Sequence, residues 1–216
     1  MSYIYLGPGT LPGTLKYQIN LTMYKDCNAP PTSADLDAFV TFTVFKTSDG
    51  SQFLNIQGIP GQDTFWIRKI PSDPCIADNI ESNVCFIVRK YSTIIDNLPL
   101  TAAGYTVAYQ RCCRLAGMSN ITSADVGITY FAKIPGNSFL GAETNTSPVF
   151  VTKDTVLICS GRPINFDFSA TDADGDSLSY RFYTAFSGGA NAQGTCFGCI
   201  TPDPSSPPPL YICYLY

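Results

Sequence analysis

The chain contains no histidine. Serine and cysteine nucleophiles commonly rely on an imidazole base, and metal centres often recruit an imidazole ligand. Histidine-dependent hydrolysis is therefore excluded. Charge is also scarce: 14% of the 216 residues are charged, with 13 Lys and Arg against 17 Asp and Glu, net −4. Nucleic-acid binding needs clustered cations to neutralise phosphates, so no nucleic-acid partner is expected. No apolar run approaches the ~20 residues of a membrane-spanning helix. No basic-then-apolar leader follows Met1. An exported chain without a leader is expected to begin inside a precursor, with Met1 an internal residue. Helical periodicity over a useful length is missing as well.

What is present suits β-structure. Hydrophobic residues make up 45% of the chain, including 13 Tyr and 14 Phe, types that fit a pleated, half-buried surface. Tyr17, Ile19, Leu21 and Met23 alternate with Gln18, Asn20 and Thr22, which predicts a strand over 16–24. Val40, Phe42 and Val44 are expected to face inward, with Thr41 and Thr43 outward. Asp49-Gly50 is a hairpin signal leading to a strand over 52–56. Further strands are predicted over 2–6, 64–70, 86–95, 126–134, 149–151, 156–159, 164–168, 181–186 and 211–216. Trp66, the single tryptophan, is read as sheet packing, with a ligand-stacking platform as the alternative.

The segment 104–114 holds the centre of this pattern. Tyr105, Val107 and Tyr109 alternate with Thr106 and Gln110, predicting a half-buried strand that ends at Cys112 and Cys113. Neighbouring strand residues face opposite ways, so these two cysteines are suited to two different bridges. Arg111 and Arg114 beside them either pair with local carboxylates and carbonyls or bind an anionic glycan.

The nine cysteines are Cys27, Cys75, Cys85, Cys112, Cys113, Cys159, Cys196, Cys199 and Cys213. They are read as a disulfide set from an oxidising compartment. Cys75 and Cys85, bracketing one short polar loop, are expected to pair. An odd count leaves at least one free, bonded to another chain, or missing its partner. Cys196-x-x-Cys199 lies in a Gly-rich loop rather than at a helix start, which argues against redox catalysis. Vicinal Cys112 and Cys113 likewise suit zinc poorly.

The expected fold is all-β: two tandem antiparallel β-sandwich modules, Ig-like or cadherin-like, stapled by disulfides. The polar stretch 144–148 marks a boundary between a domain over 1–146 and a module over 147–216. The latter is expected to be incomplete, since an Ig-like sandwich needs about 100 residues.

Motifs in order along nearly the whole chain carry a resemblance: Leu15 to Cys27, Asp73-Pro-Cys75, Tyr109-Gln-Arg-Cys-Cys-Arg114, Ser147-Pro-Val-Phe150 and Ala170 to Tyr180. Together they resemble the N-terminal region of large secreted surface proteins of gliding Bacteroidetes. Those proteins carry PKD-like or cadherin-like repeats and leave by the type IX secretion system. The resemblance implies export to the cell surface or medium and no enzymatic activity. Cys196, Cys199 and Cys213 depart from the pattern.

Asp172, Asp174 and Asp176 alternate around Gly175, which gathers carboxylate oxygens suited to Ca²⁺. Asp154 or Asp167 would complete the shell; the spacing is not that of an EF-hand. The alternative is a solvated Asp/Gly turn. Thr155 and Ser177 sit in Asp-Ser/Thr-apolar strings of the kind Bacteroidetes O-glycosylate on exported proteins. The sequons at Asn20, Asn120 and Asn145 are read as incidental.

These features point to a non-enzymatic extracellular protein, an adhesin or matrix segment, with calcium as its one expected cofactor. Its partner would be an extracellular protein or glycan surface. The alternative is a filament subunit that pairs with copies of itself by strand exchange or edge pairing.

Overall fold

The computed structural model describes residues 1–31, 33–68, 85–111, 127–138, 141–151, 161, 163, 165–184 and 211–215, with 181–184 and 211–215 described by backbone pairing alone. The described residues are β-structured, with a single 3-10 turn over Ala142–Thr144 and no α-helix. Seven strands build one antiparallel sheet: β1 (Ser2–Pro8), β2 (Thr14–Asp26), β3 (Phe39–Lys46), β4 (Gln52–Arg68), β5 (Cys85–Pro99), β6 (Tyr105–Arg111) and β7 (Ile128–Ile134). Their order across the sheet is β1-β2-β5-β4-β3-β6-β7. The sheet curls over its own core, where Tyr17, Phe42, Tyr91 and Val107 are fully buried.

β2 forms as its alternation predicts. Tyr17, Leu21 and Met23 lie opposite Ile95, Tyr91 and Arg89 of β5, and all three face the core.

β4 departs from expectation. In place of separate strands over 52–56 and 64–70, one continuous strand runs through Gly58-Ile59-Pro60-Gly61. Residues up to Pro60 pair with β3, and residues from Gly61 pair with β5. Gly58 takes φ +69°, a conformation glycine adopts without a Cβ penalty. Buried Ile59 pins the bend to the core. At Gly61 a Cβ would lie 2.5 Å from Cδ of Arg89, so any larger residue would oblige that side chain to shift.

Three further expectations are corrected. Thr43 is buried rather than outward-facing in solvent, and so is neighbouring Phe45, so both faces of β3 are covered. Every residue of β6 from Tyr105 to Gln110 is buried, so this strand, flanked by β3 and β7, is covered on both faces rather than half-buried. Cys85 pairs with Cys27, not Cys75: Asp26 lies opposite Phe86 in the β2–β5 ladder, which brings the next two residues to a Cα separation of 5.3 Å.

Beyond the sheet, β8 (Val149–Phe150) pairs with β9 (Ala170–Thr171), and β10 (Tyr180–Thr184) with β11 (Tyr211–Leu215). Among the described residues, neither ladder pairs with the seven-stranded sheet. The strand expected over 164–168 does not form at 165–168. There Phe166 and Phe168 pack ring to ring at 4.5 Å, and Asp167 takes the N–H of Ser169 at 2.7 Å.

Candidate functional site

The acidic turn folds around Asp172. Its Oδ1 accepts the backbone N–H groups of Asp174 at 2.9 Å and Asp176 at 3.1 Å, and Gly175 closes the turn at φ +81°. The outer two carboxylates then reach away. Asp174 Oδ2 accepts from the N–H of Thr146 at 2.6 Å, and Asp176 Oδ2 from the side-chain amide of Asn145 at 2.7 Å. The string read as a ligand loop therefore grips the polar stretch read as a boundary. Among the described residues no three carboxylate or thiol side chains converge as a metal-holding group. Asp167 is committed to its own turn, where the N–H and hydroxyl of Ser169 hold its carboxyl below the usual range. Ser177 is exposed beside the turn. Asp154, Thr155, Cys75, Cys112, Cys113, Cys159, Cys196 and Cys199 lie outside the described residues; Cys213 stands opposite Phe182 in the β10–β11 ladder.

The gripped stretch, Asn145 to Ser147, lies along the free side of β1 as a strap. Tyr3 donates its N–H to Ser147 Oγ at 2.9 Å and accepts the Ser147 N–H on its carbonyl at 2.9 Å. The Tyr5 N–H goes to Thr146 Oγ1 at 3.2 Å. Hydroxyl oxygens thus stand where the carbonyls of a neighbouring strand would stand. Core tyrosines hold the same segment from below. Tyr3 donates its phenol to Asn145 Oδ1 at 2.5 Å, and Tyr17 donates to the carbonyl of Glu143. Burial pushes both phenols well above the ordinary tyrosine range; for Tyr3 the bond to Ser147 opposes the shift and the nearby aspartates add to it. Both ends of the Asn145 amide are thus engaged, its oxygen by Tyr3 and its nitrogen by Asp176.

A second feature lies on the sheet face turned away from the core. Ile4, Gln18 and Ile94 stand in one row across β1, β2 and β5, with Ser2, Asn20 and Ser92 in the next. Asn20 Oδ1 accepts from both Gln18 and Ser92 at 2.8 Å, tying these side chains into a polar row. Further along, Tyr24 and Phe65 flank Val88 and remain 41% and 40% exposed, with Lys90 Nζ 5.5 Å above the Phe65 ring. Trp66, 54% exposed, points to the other face opposite Ile87.

A third cluster is structural. Asp37 receives the Tyr109 hydroxyl on its carboxylate, the Tyr91 hydroxyl on its carbonyl at 2.5 Å, and Arg111 at 3.4 Å. Arg89 adds bonds to the carbonyls of Leu36 and Asp37 at 2.9 and 3.1 Å. Arg111 also donates to the Asp35 carbonyl at 2.6 Å, so it pairs with a local carboxylate and a local carbonyl.

The strap and Asp37 were missed by sequence reasoning. The only signal for the strap was its run of small hydroxyl and amide residues between two apolar stretches. Comparison of the chain with known protein families, with curated proteins and with solved structures finds no match.

Proposed function

We propose that the chain is a non-enzymatic extracellular cell-surface protein, an adhesin or matrix segment, of two β modules. The observation that supports it best is the outward face of β1, β2, β5 and β4. It carries a row of side-chain amides and hydroxyls beside the exposed rings of Tyr24 and Phe65, with Lys90 over the latter. Aromatic faces and fixed amides suit the apolar faces and hydroxyls of a sugar, or a protein surface, without needing a positioned acid or base. The Cys27–Cys85 bridge fits an oxidising compartment, in line with the resemblance to exported surface proteins. The test is binding of the purified chain to a panel of polysaccharides and extracellular proteins, beside the variant Tyr24→Ala/Phe65→Ala. Retention that the variant loses at least tenfold supports the reading. A ligand bound equally by both proteins refutes this face as its site.

One observation favours the second reading, a filament subunit. β4 has a ladder partner on one side at a time, β3 beside its first half and β5 beside its second. Its remaining backbone groups have no ladder partner among the described residues, and such an edge accepts another strand. Negative-stain electron microscopy over a concentration series tests it: regular filaments support assembly, and monodisperse particles at every concentration rule it out.

A further inference from the structure

The free side of β1 carries an inference about which strand edge changes hands. Unpaired strand edges are ordinarily covered, charged or shortened. Here the cover is the chain's own strap, and it is an imperfect strand: two of its three bonds to the β1 backbone use Ser147 Oγ and Thr146 Oγ1 in place of backbone carbonyls. Among the described residues, the hydrogen bonds that join the later segment to β1 and β2 run through Glu143 to Ser147, and the acidic turn only clamps that strap from the far side. The ladders β8–β9 and β10–β11 add no pairing to the sheet. Val149 and Val151, immediately after the strap, are 63% and 61% exposed. Gly141 precedes the strap at φ +83°, a conformation glycine adopts without a Cβ penalty.

We propose that β1 is a docking edge for the strap of a second copy of this chain, closed in the lone molecule by its own strap. The exchanged contact is the one already present: Ser147 and Thr146 on Tyr3 and Tyr5, Asn145 on the Tyr3 phenol, and the Asp174 and Asp176 carboxylates clamping from behind. Exchange of an identical element makes no new contact and breaks none, so the balance is set by concentration and by the connection preceding the strap. An own strap acts at an effective concentration in the millimolar range, which keeps dilute molecules closed. This deepens the filament reading, and rests on it for its consequence, by naming the element that passes between copies.

Two full-length variants test it. A strap-released copy, Thr146→Val/Ser147→Val/Asp174→Ala/Asp176→Ala, keeps an intact β1 edge with its cover loosened. An edge-blocked copy, Tyr5→Pro, keeps an intact strap but loses an outward N–H; Tyr3→Pro is its substitute if the first does not fold by circular dichroism. Each alone is expected to run as a monomer in size-exclusion chromatography with light scattering. Mixed in equal amounts they are expected to give a 1:1 complex of twice the mass. Two folded variants that stay monomeric when mixed overturn the proposal. Filaments of the wild-type protein together with that result would place assembly at β4 instead, and leave the filament reading standing.

Discussion

Tyr109 of β6 donates its phenolic hydroxyl to the carboxylate of Asp37, in the segment that leads into β3. The bond ties an interior strand to a connection that has no ladder of its own. Tyr109→Phe strips the carboxylate of its buried donor and leaves it to Arg111. Loss of a hydrogen bond to a charged group costs about 2 kcal/mol. Tyr91→Phe is expected to cost less, about 1 kcal/mol, because the Asp37 carbonyl keeps Arg89. Urea unfolding of the two variants side by side checks the order; a larger loss for Tyr91→Phe contradicts it.

The buried phenols set an alkaline limit. Tyr3, Tyr17 and Tyr109 are all held above the ordinary value of 10.0, chiefly by burial, and for Tyr109 also by the bond to Asp37. The folded chain therefore keeps these protons when the unfolded chain releases them. Their stabilisation is complete below the unfolded value and is lost as pH rises above it. Urea midpoints should hold from about pH 8 to about pH 10 and then fall steadily. Tyr17→Phe should flatten that fall, and an unchanged slope would count against the assignment.

The Cys27–Cys85 bridge closes a separation of 58 residues. Chain-entropy arguments give about 4 kcal/mol for a loop of that length, less where the flanking ladder already holds the ends. Cys27→Ser/Cys85→Ser is expected to lower stability by about 2–4 kcal/mol while preserving the β-type circular dichroism spectrum. Peptide mapping without reduction gives the pairing directly, and a Cys75–Cys85 peptide would restore the pairing that loop length alone suggests.

Gly104 and Gly13 share a positive φ, 72° and 74°. They differ in surroundings: a Cβ on Gly104 would fall 2.1 Å from the Ile134 carbonyl, whereas one on Gly13 meets nothing within 4 Å. Gly13→Ala should cost about 1–2 kcal/mol, the left-handed penalty alone. Gly104→Ala adds overpacking of about 1–3 kcal/mol to that. Thermal melts that rank the two equally would show that the contact relaxes.

Calcium at the acidic turn is proposed on the oxygen-rich string Asp172, Asp174 and Asp176. A ligand that prefers the folded state stabilises it by about 2.7 kcal/mol at one hundred times its Kd. Calcium should therefore raise the melting temperature and EDTA should reverse the rise. An identical melt in EDTA and in excess calcium removes the ion from the account and leaves the turn as the clamp on Asn145 and Thr146.

Much of the sheet was legible because period-2 alternation is local. Tyr17 to Met23 needs no knowledge of β5 to show which side is apolar. What required the partner strand was not legible. The pairing of Cys27 with Cys85 follows from the β2–β5 register, and register is a long-range property. Thr43 looked solvent-facing because its polarity says nothing about a second covered face. The strands expected over 52–56 and 64–70 were read as separate, since a single chain segment gives no sign that a bend will keep pairing on both sides. The strap was hidden for another reason: three small polar residues carry no periodicity, and only their placement beside Tyr3 and Tyr5 gives them a task.

The bend in β4 has a mechanical consequence. One strand serves as neighbour to β3 before the corner and to β5 after it. A pull directed along β4 loads both ladders in shear, with many backbone bonds resisting together rather than opening one by one from an end. The two ladders do not overlap along β4, so beyond their shared core the halves of the sheet meet at the corner around Pro60 and Gly61. A tether drawing on Arg68 would load the β4–β5 ladder first and reach β3 only through that corner.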